Sequence, residues 1–293
     1  MTKKLMGIAA ILLVMSLGAC ASAETSKRPA AEGSVGTADV SAQTYSLDES
    51  SKDNAQGKNS STTKTNSESQ TLADESVKES EETKAAKKKA EQILNGELKE
   101  KSHTVDVQFI SQTPELPTGC ESVALVMALN AIGYKTEKTE IADNYMPIGD
   151  SYVTTFLGDP HKNDGAGIYP PGLVITAQNY IDAKKLKAGP VDLTDTDFKN
   201  LYKIIEKGYP IVFWYTINLN EPCHYEKDDY TEVYNGREYP WITNIHCVVM
   251  NGYDLDAGTV TFTDPISGTL VYDAERVEYI YDRVGRMAMT VIN

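Results

Sequence analysis

The chain has 293 residues, 41% of them hydrophobic and 24% charged, with 42 Asp and Glu against 28 Lys and Arg and a net charge of −14. Residues 102–293 hold 27 of the acids and only 14 of the bases. A surface of that sign repels polyanions, which argues against nucleic acid or an anionic membrane surface as the partner of this region.

Lys3 and Lys4 lead into an apolar run, Leu5 to Leu17, that is too short to span a bilayer and reads as an export signal. It ends in Leu17-Gly18-Ala19-Cys20, which resembles the bacterial lipobox. The resemblance implies cleavage before Cys20, lipidation of that cysteine and anchoring to the extracytoplasmic face of the cell membrane. The alternative is an ordinary signal peptide cut after Ala19-Cys20-Ala21 or within Ser22-Ala23. Residues 1–19 are therefore expected to be signal peptide. Residues 20–101 are expected to form a disordered tether, since Ser, Thr, Glu and Lys dominate and Tyr45 is the sole aromatic residue. Within it, Glu79 to Leu94 predicts a short solvated helix ended by Asn95-Gly96. Residues 102–293 then make one domain, long enough to bury a core.

In that domain the stretch Gln112 to Tyr134 passes from a proline-broken loop into a segment apolar on nearly every side, which predicts an enclosed helix. Thr118 and Glu121 have the spacing of a capping box. With Thr118 as N-cap, Cys120 occupies the second helical position, where free backbone N–H groups and the helix dipole stabilise a thiolate. A cysteine pKa of about 8.5 can fall to roughly 3.5–7.5 in such a place. The competing reading is a small core cysteine. Further along, Thr136 to Asn144 predicts a second short helix, Asp150 to Pro171 a long loop, and Leu173 to Lys184 another helix. Asp195 to Lys207 is amphipathic and Gly208 ends it. Ile211 to Ile217, Ile245 to Met250, Thr259 to Thr263 and Met287 to Ile292 predict strands. Helices first and strands last make an α+β domain with an antiparallel sheet.

A thiolate nucleophile needs a base that titrates near neutrality. Of the four histidines, His103 lies at the domain edge and His161 and His224 in polar loops, whereas His246 lies in an apolar strand. Gly252 and Gly258 bracket the loop Tyr253 to Ala257. Counting back evenly from that pair places His246 directly across a hairpin from Asp264, so the carboxylate would fix the imidazole. Asp264-Pro265 followed by Ser267-Gly268 is also a good turn. Gln112, eight residues before Cys120, is a candidate oxyanion donor.

Taken together, Gln112, Pro117-Thr-Gly-Cys-Glu121, Ile245-His-Cys-Val-Val249 with Gly252-Tyr253, and Asp264-Pro265 with Gly268 resemble the stand-alone papain-like cysteine peptidases related to bacteriocin-processing, double-glycine-leader peptidases. The resemblance runs from about Val105 to the C-terminus. It implies a papain-like fold with Cys120 as nucleophile, His246 as general base and acid, Asp264 as orienting carboxylate and Gln112 in the oxyanion hole. Relatives attached to transporters carry Asp-Cys-Gly at the nucleophile, where this chain has Gly119-Cys120-Glu121. The expected activity is that of an extracytoplasmic, lipid-anchored cysteine peptidase acting on a peptide or protein substrate, without metal or cofactor. Alternatives on the same fold are a non-catalytic peptide or cell-wall binding module, or a peptidoglycan amide hydrolase or acyl transferase. Cys223 and Cys247 remain as a possible disulfide, balanced against two unpaired thiols. Strand alternation is expected to turn Cys247 away from the site.

Overall fold

The computed structural model describes residues 79–224 and 230–293; the expected signal peptide, Cys20 and the tether up to residue 78 lie outside the described residues. In chain order the elements are α1 (Glu81–Leu94), β1 (Ser102–Thr104), α2 (Cys120–Ala131), α3 (Glu140–Asn144), β2 (Ile148–Gly149), β3 (Phe156–Leu157), α4 (Pro170–Lys184), β4 (Gly189–Asp192), α5 (Phe198–Glu206), β5 (Ile211–Thr216), a 3-10 turn (Ile217–Leu219), β6 (Thr231–Tyr234), β7 (Arg237–Pro240), β8 (Ile245–Asp254), β9 (Thr259–Asp264), β10 (Gly268–Asp273), α6 (Ala274–Arg283) and β11 (Ala288–Ile292).

The helix expected to be solvated is docked instead. The Ser80 hydroxyl caps α1 by accepting from the Thr83 N–H, and Thr83, Ala86 and Ala90 are buried. Their side chains are small, so they form a narrow stripe and not the broad apolar face that a sequence pattern reveals. Close approach takes the place of bulk: a Cβ on Gly189 of β4 would come within 2.5 Å of the Thr83 Cα. Lys89 also reaches the Asn293 carbonyl at 2.9 Å. Residues 79–101, placed by composition in the tether, thus belong to the folded domain.

The main sheet runs β10-β9-β8-β5-β11-β4, with β1 also pairing β8, and every pairing in it is antiparallel. β5 is buried along its whole length because both faces are covered. Alternate side chains show this. Phe213 stacks on Tyr281 of α6 at 4.8 Å and meets Phe198 of α5, while Trp214 donates its indole N–H to the Ile168 carbonyl just before α4. Helix α2 packs on β8 with Val123 to Leu129 sealed from solvent. Each large apolar side chain buried in this way contributes about 1.5–3 kcal/mol.

The hairpin that carries the histidine does not have the expected register. β8 and β9 pair Asp254 with Thr259, Tyr253 with Val260 and Gly252 with Thr261. The turn is therefore tighter than a loop bracketed by Gly252 and Gly258, and Asp254 Oδ1 secures it by accepting from Asp256 and Ala257 N–H, both at 2.9 Å. Between Gly252 and Met250 the register shifts by one, after which Met250 faces Phe262 and Val249 faces Thr263. Asn251 takes up the extra residue and is fastened there: its amide donates to Val105 O, and its backbone carbonyl accepts from Val105 N–H. This bulge decides the site. Without it Asp264 would face Val249, on the opposite face of the sheet from His246. With it, the ladder carried one step further sets Asp264 against Val248, two residues along the same face from His246.

Candidate active site

The diagonal is closed by side chains. His246 Nε2 lies 3.0 Å from Asp264 Oδ1 and both residues are buried, so the expected pairing stands although the expected register does not. Diagonal neighbours on one sheet face are about 7–8 Å apart at the backbone, a gap an imidazole and a carboxylate together span. Asp264 also serves the turn, as its sequence suggests. Oδ1 accepts from the Ile266 N–H at 2.7 Å and the Ser267 N–H at 3.3 Å, and Oδ2 accepts from the Tyr215 hydroxyl at 3.3 Å. Burial would raise this carboxyl. The His246 hydrogen bond and charge, followed by the Ile266 and Ser267 N–H groups, outweigh burial and hold it below the usual Asp value.

Cys120 begins α2, but its surroundings differ from the expectation. The N-cap is Gly119 and makes no side-chain cap, so Cys120 is the first helical residue. Thr118 gives its hydroxyl to the Lys162 carbonyl at 2.9 Å. Glu121 turns to the segment before α4, where Oε1 accepts from the Ile168 N–H at 3.0 Å. Both halves of the predicted capping box are drawn off by the loop running into α4, which folds over the helix start. The second Glu121 oxygen lies 3.3 Å from Cys120 Sγ and accepts from the thiol. A lowered thiol pKa was expected, and the structure reverses it. Burial and then the Glu121 carboxylate push Cys120 well up, Asp264 adds to this, and the Cys247 backbone N–H opposes it. Burial likewise raises Glu121 above the usual range.

Gln112 lies between the two halves. Its backbone N–H donates to the Pro265 carbonyl at 2.9 Å, next to Asp264, and its side-chain Nε2 donates to the Pro117 carbonyl at 2.7 Å, three residues before Cys120. The amide uses one of its two N–H bonds in this way, and its Oε1 is buried without a hydrogen-bond partner.

His246 pairs with Tyr215 and Cys247 with Trp214 in an unbroken ladder, so Cys247 points to the sheet face opposite His246, as strand alternation predicts. Burial, followed by the Cys120 and Glu121 charges, raises its thiol. Cys247 is in no disulfide, so the bridge to Cys223 is not formed. The residue that sequence reasoning missed is Glu121, which was read as a cap. The signal present was an acid directly after the cysteine in an otherwise apolar helix.

The chain is similar to a known family and to solved structures. The model of the Peptidase_C39 like family matches residues 104–289. A Bacillus anthracis protein assigned to the C39-like peptidases has a crystal structure that is similar with a TM-score of 0.55 and 25% identity, covering 67% of this chain and 98% of that one. A double-glycine motif protease from an AMS/PCAT transporter, solved with its leader peptide, is more distant, with a TM-score of 0.37 and 14% identity over 65% of this chain and 92% of that one. The chain is also 29% identical over 133 residues to the uncharacterized protein YvpB of Bacillus subtilis strain 168, 42% of this chain and 51% of that protein. It spans about half the length of that curated relative.

Proposed function

Since the chain belongs to the Peptidase_C39-like family, with its papain-like fold, we propose that it is a cysteine peptidase that cleaves peptide bonds through Cys120, His246, Asp264 and Gln112. The observation that carries this is the buried hydrogen bond between His246 Nε2 and Asp264 Oδ1. It occupies one ring nitrogen and leaves Nδ1 for the thiol. The raised thiol supports base-assisted attack over a standing thiolate. The Sγ proton passes to His246 Nδ1 as sulfur bonds to the carbonyl carbon, and the carbonyl electron pair moves onto oxygen. The second Gln112 N–H and the Cys120 backbone N–H stabilise that oxyanion. Collapse expels the amine, which takes its proton from the imidazolium, and His246 then deprotonates the water that hydrolyses the thioester.

Mass spectrometry of a peptide pool incubated with the protein tests the reading. Cys120→Ala and His246→Ala should abolish all new cleavages, and a pool still cut by Cys120→Ala sinks it. The proposal extends to the envelope on the strength of Leu17-Gly18-Ala19-Cys20: Cys20 carries lipid and anchors the chain at the extracytoplasmic face of the membrane. Cys20→Ala should release the processed protein from the membrane fraction, and retention there would count against the anchor.

A further inference from the structure

Glu121 is a buried carboxylate to which the reaction above gives no task. It is only 2% exposed, and its two oxygens are committed in different directions. Oε1 is fixed by the Ile168 N–H at 3.0 Å, and Oε2 takes the Cys120 thiol at 3.3 Å. The chain makes room for this arrangement. Gly167 adopts φ +127°, which disfavours any side chain, and a Cβ there would come within 2.5 Å of Oε1. The carboxylate is thus seated by the backbone of one loop while it accepts from the sulfur of the helix below it.

We propose that Glu121 is a latch: it holds Cys120 as a neutral thiol hydrogen-bonded to Oε2, and the nucleophile forms only when Sγ leaves that contact for Nδ1 of His246. The inference rests on the assignment of Cys120 as nucleophile. The ionisable groups facing the pair are His246 and Cys247 from β8, Asp264 from β9 and Tyr169 from the loop before α4. Of these only His246 can become cationic. Sulfur ionised in the latched position would therefore face the Glu121 and Asp264 charges while the imidazole is held by Asp264. The same sulfur beside a protonated His246 would have a counter-ion. A substrate that displaces the thiol from Oε2, or a pH that protonates Glu121, opens the latch without any change of fold.

The experiment follows alkylation of the Cys120 peptide by iodoacetamide across pH in the full-length protein, read by mass spectrometry. In the wild type the midpoint should lie above that of free cysteine, about 8.5. Glu121→Gln keeps an oxygen for the Ile168 N–H and replaces the charge on the sulfur with an amide donor. Its midpoint should fall by at least about one pH unit, with labelling at pH 7 roughly tenfold faster. A merely structural role would lower the melting temperature and leave the midpoint alone. An unmoved or raised midpoint in Glu121→Gln overturns the latch, as does a wild-type midpoint below about 7. The wild-type reading decides alone if the variant does not fold. Cleavage by Cys120→Ala would defeat the peptidase reading instead; an inactive Cys120→Ala with an unmoved Glu121→Gln midpoint defeats only the latch.

Discussion

Glu121 and Asp264 are both carboxylates almost wholly removed from solvent, at 2% and 4% exposure, yet one is raised and the other lowered. Burial is the largest influence on each and acts in the same direction. What differs is the company. Glu121 has backbone N–H groups and a thiol, which is a weak donor. Asp264 has an imidazole, two backbone N–H groups and a tyrosine hydroxyl. At similar depth, the number and strength of donors decide whether a carboxylate rests charged. The helix start thereby holds a thiol against a carboxylate and the strand pair holds an imidazole against another.

The comparison is most exposed at Asp264. Replacing it with Ala should lower kcat for peptide cleavage by about 10²–10⁴-fold with the fold retained, since the imidazole loses the group that orients it. Asp264→Asn keeps an oxygen for His246 and should lose less; equal losses would mean that charge and not orientation is what Asp264 supplies. Tyr215→Phe removes one of the two longest of the four hydrogen bonds, both at 3.3 Å, and a cost of about 1 kcal/mol, roughly fivefold in rate, is expected. An unchanged rate would show that the Tyr215 hydroxyl has no part in holding Asp264 for His246.

Melting curves against pH test the two carboxylates together. A lowered Asp264 adds stability above its unfolded value near 3.9, and that stability is lost as pH falls through the folded value. A raised Glu121 behaves in the opposite way: its contribution is complete below about pH 4.3 and is lost as pH rises through the folded value. At pH 7, therefore, Asp264→Ala should melt a few degrees below the wild type and Glu121→Gln a few degrees above it, with both gaps narrowing below about pH 4. Shifts of the same sign at pH 7 would show that the contrast has no energetic content. The smallest effects belong to the hairpin turn. Asp254→Ala loses a turn cap worth about 1 kcal/mol, and Asp256→Ala loses an exposed pair with Lys101 worth less. Neither should change kcat; a loss from Asp254→Ala equal to that from Asp264→Ala would erase the distinction between turn and site.

Periodicity made parts of this molecule legible. The helix from Cys120 is apolar all round, and β5 is β-branched and aromatic throughout, so both were readable as buried elements. β10 was not, because its residues alternate between half-buried and exposed and it follows a turn-rich stretch. α1 was readable as a helix but not as a docked one, since alanines give a weak apolar signal. His246 and Asp264 were brought together for a reason that proved wrong in register and right in parity. A bulge is set by what Asn251 bonds across the sheet, and Val105 lies 146 positions away from it. Glu121 was misread for a related cause: the Ile168 N–H that claims it lies 47 positions further on. Local pattern shows which residues are buried, but it cannot show which distant backbone group they will meet.

Asn251 also bears on how this gene can vary. The stretch from His246 to Gly252 behaves as a reading frame of period two. Asn251 is the surplus residue there, so deleting it would leave Gly252 against Thr261 and Met250 against Phe262 in a regular ladder, with His246 and Asp264 still on one face. Keeping the length while straightening the strand would instead set Asp264 against Val249 and part the two side chains. A variant that loses the Asn251 clamp at constant length should therefore cost more than one that loses the residue itself, while the Leu255 to Gly258 turn, where no facing is at stake, is free to gain or lose single residues.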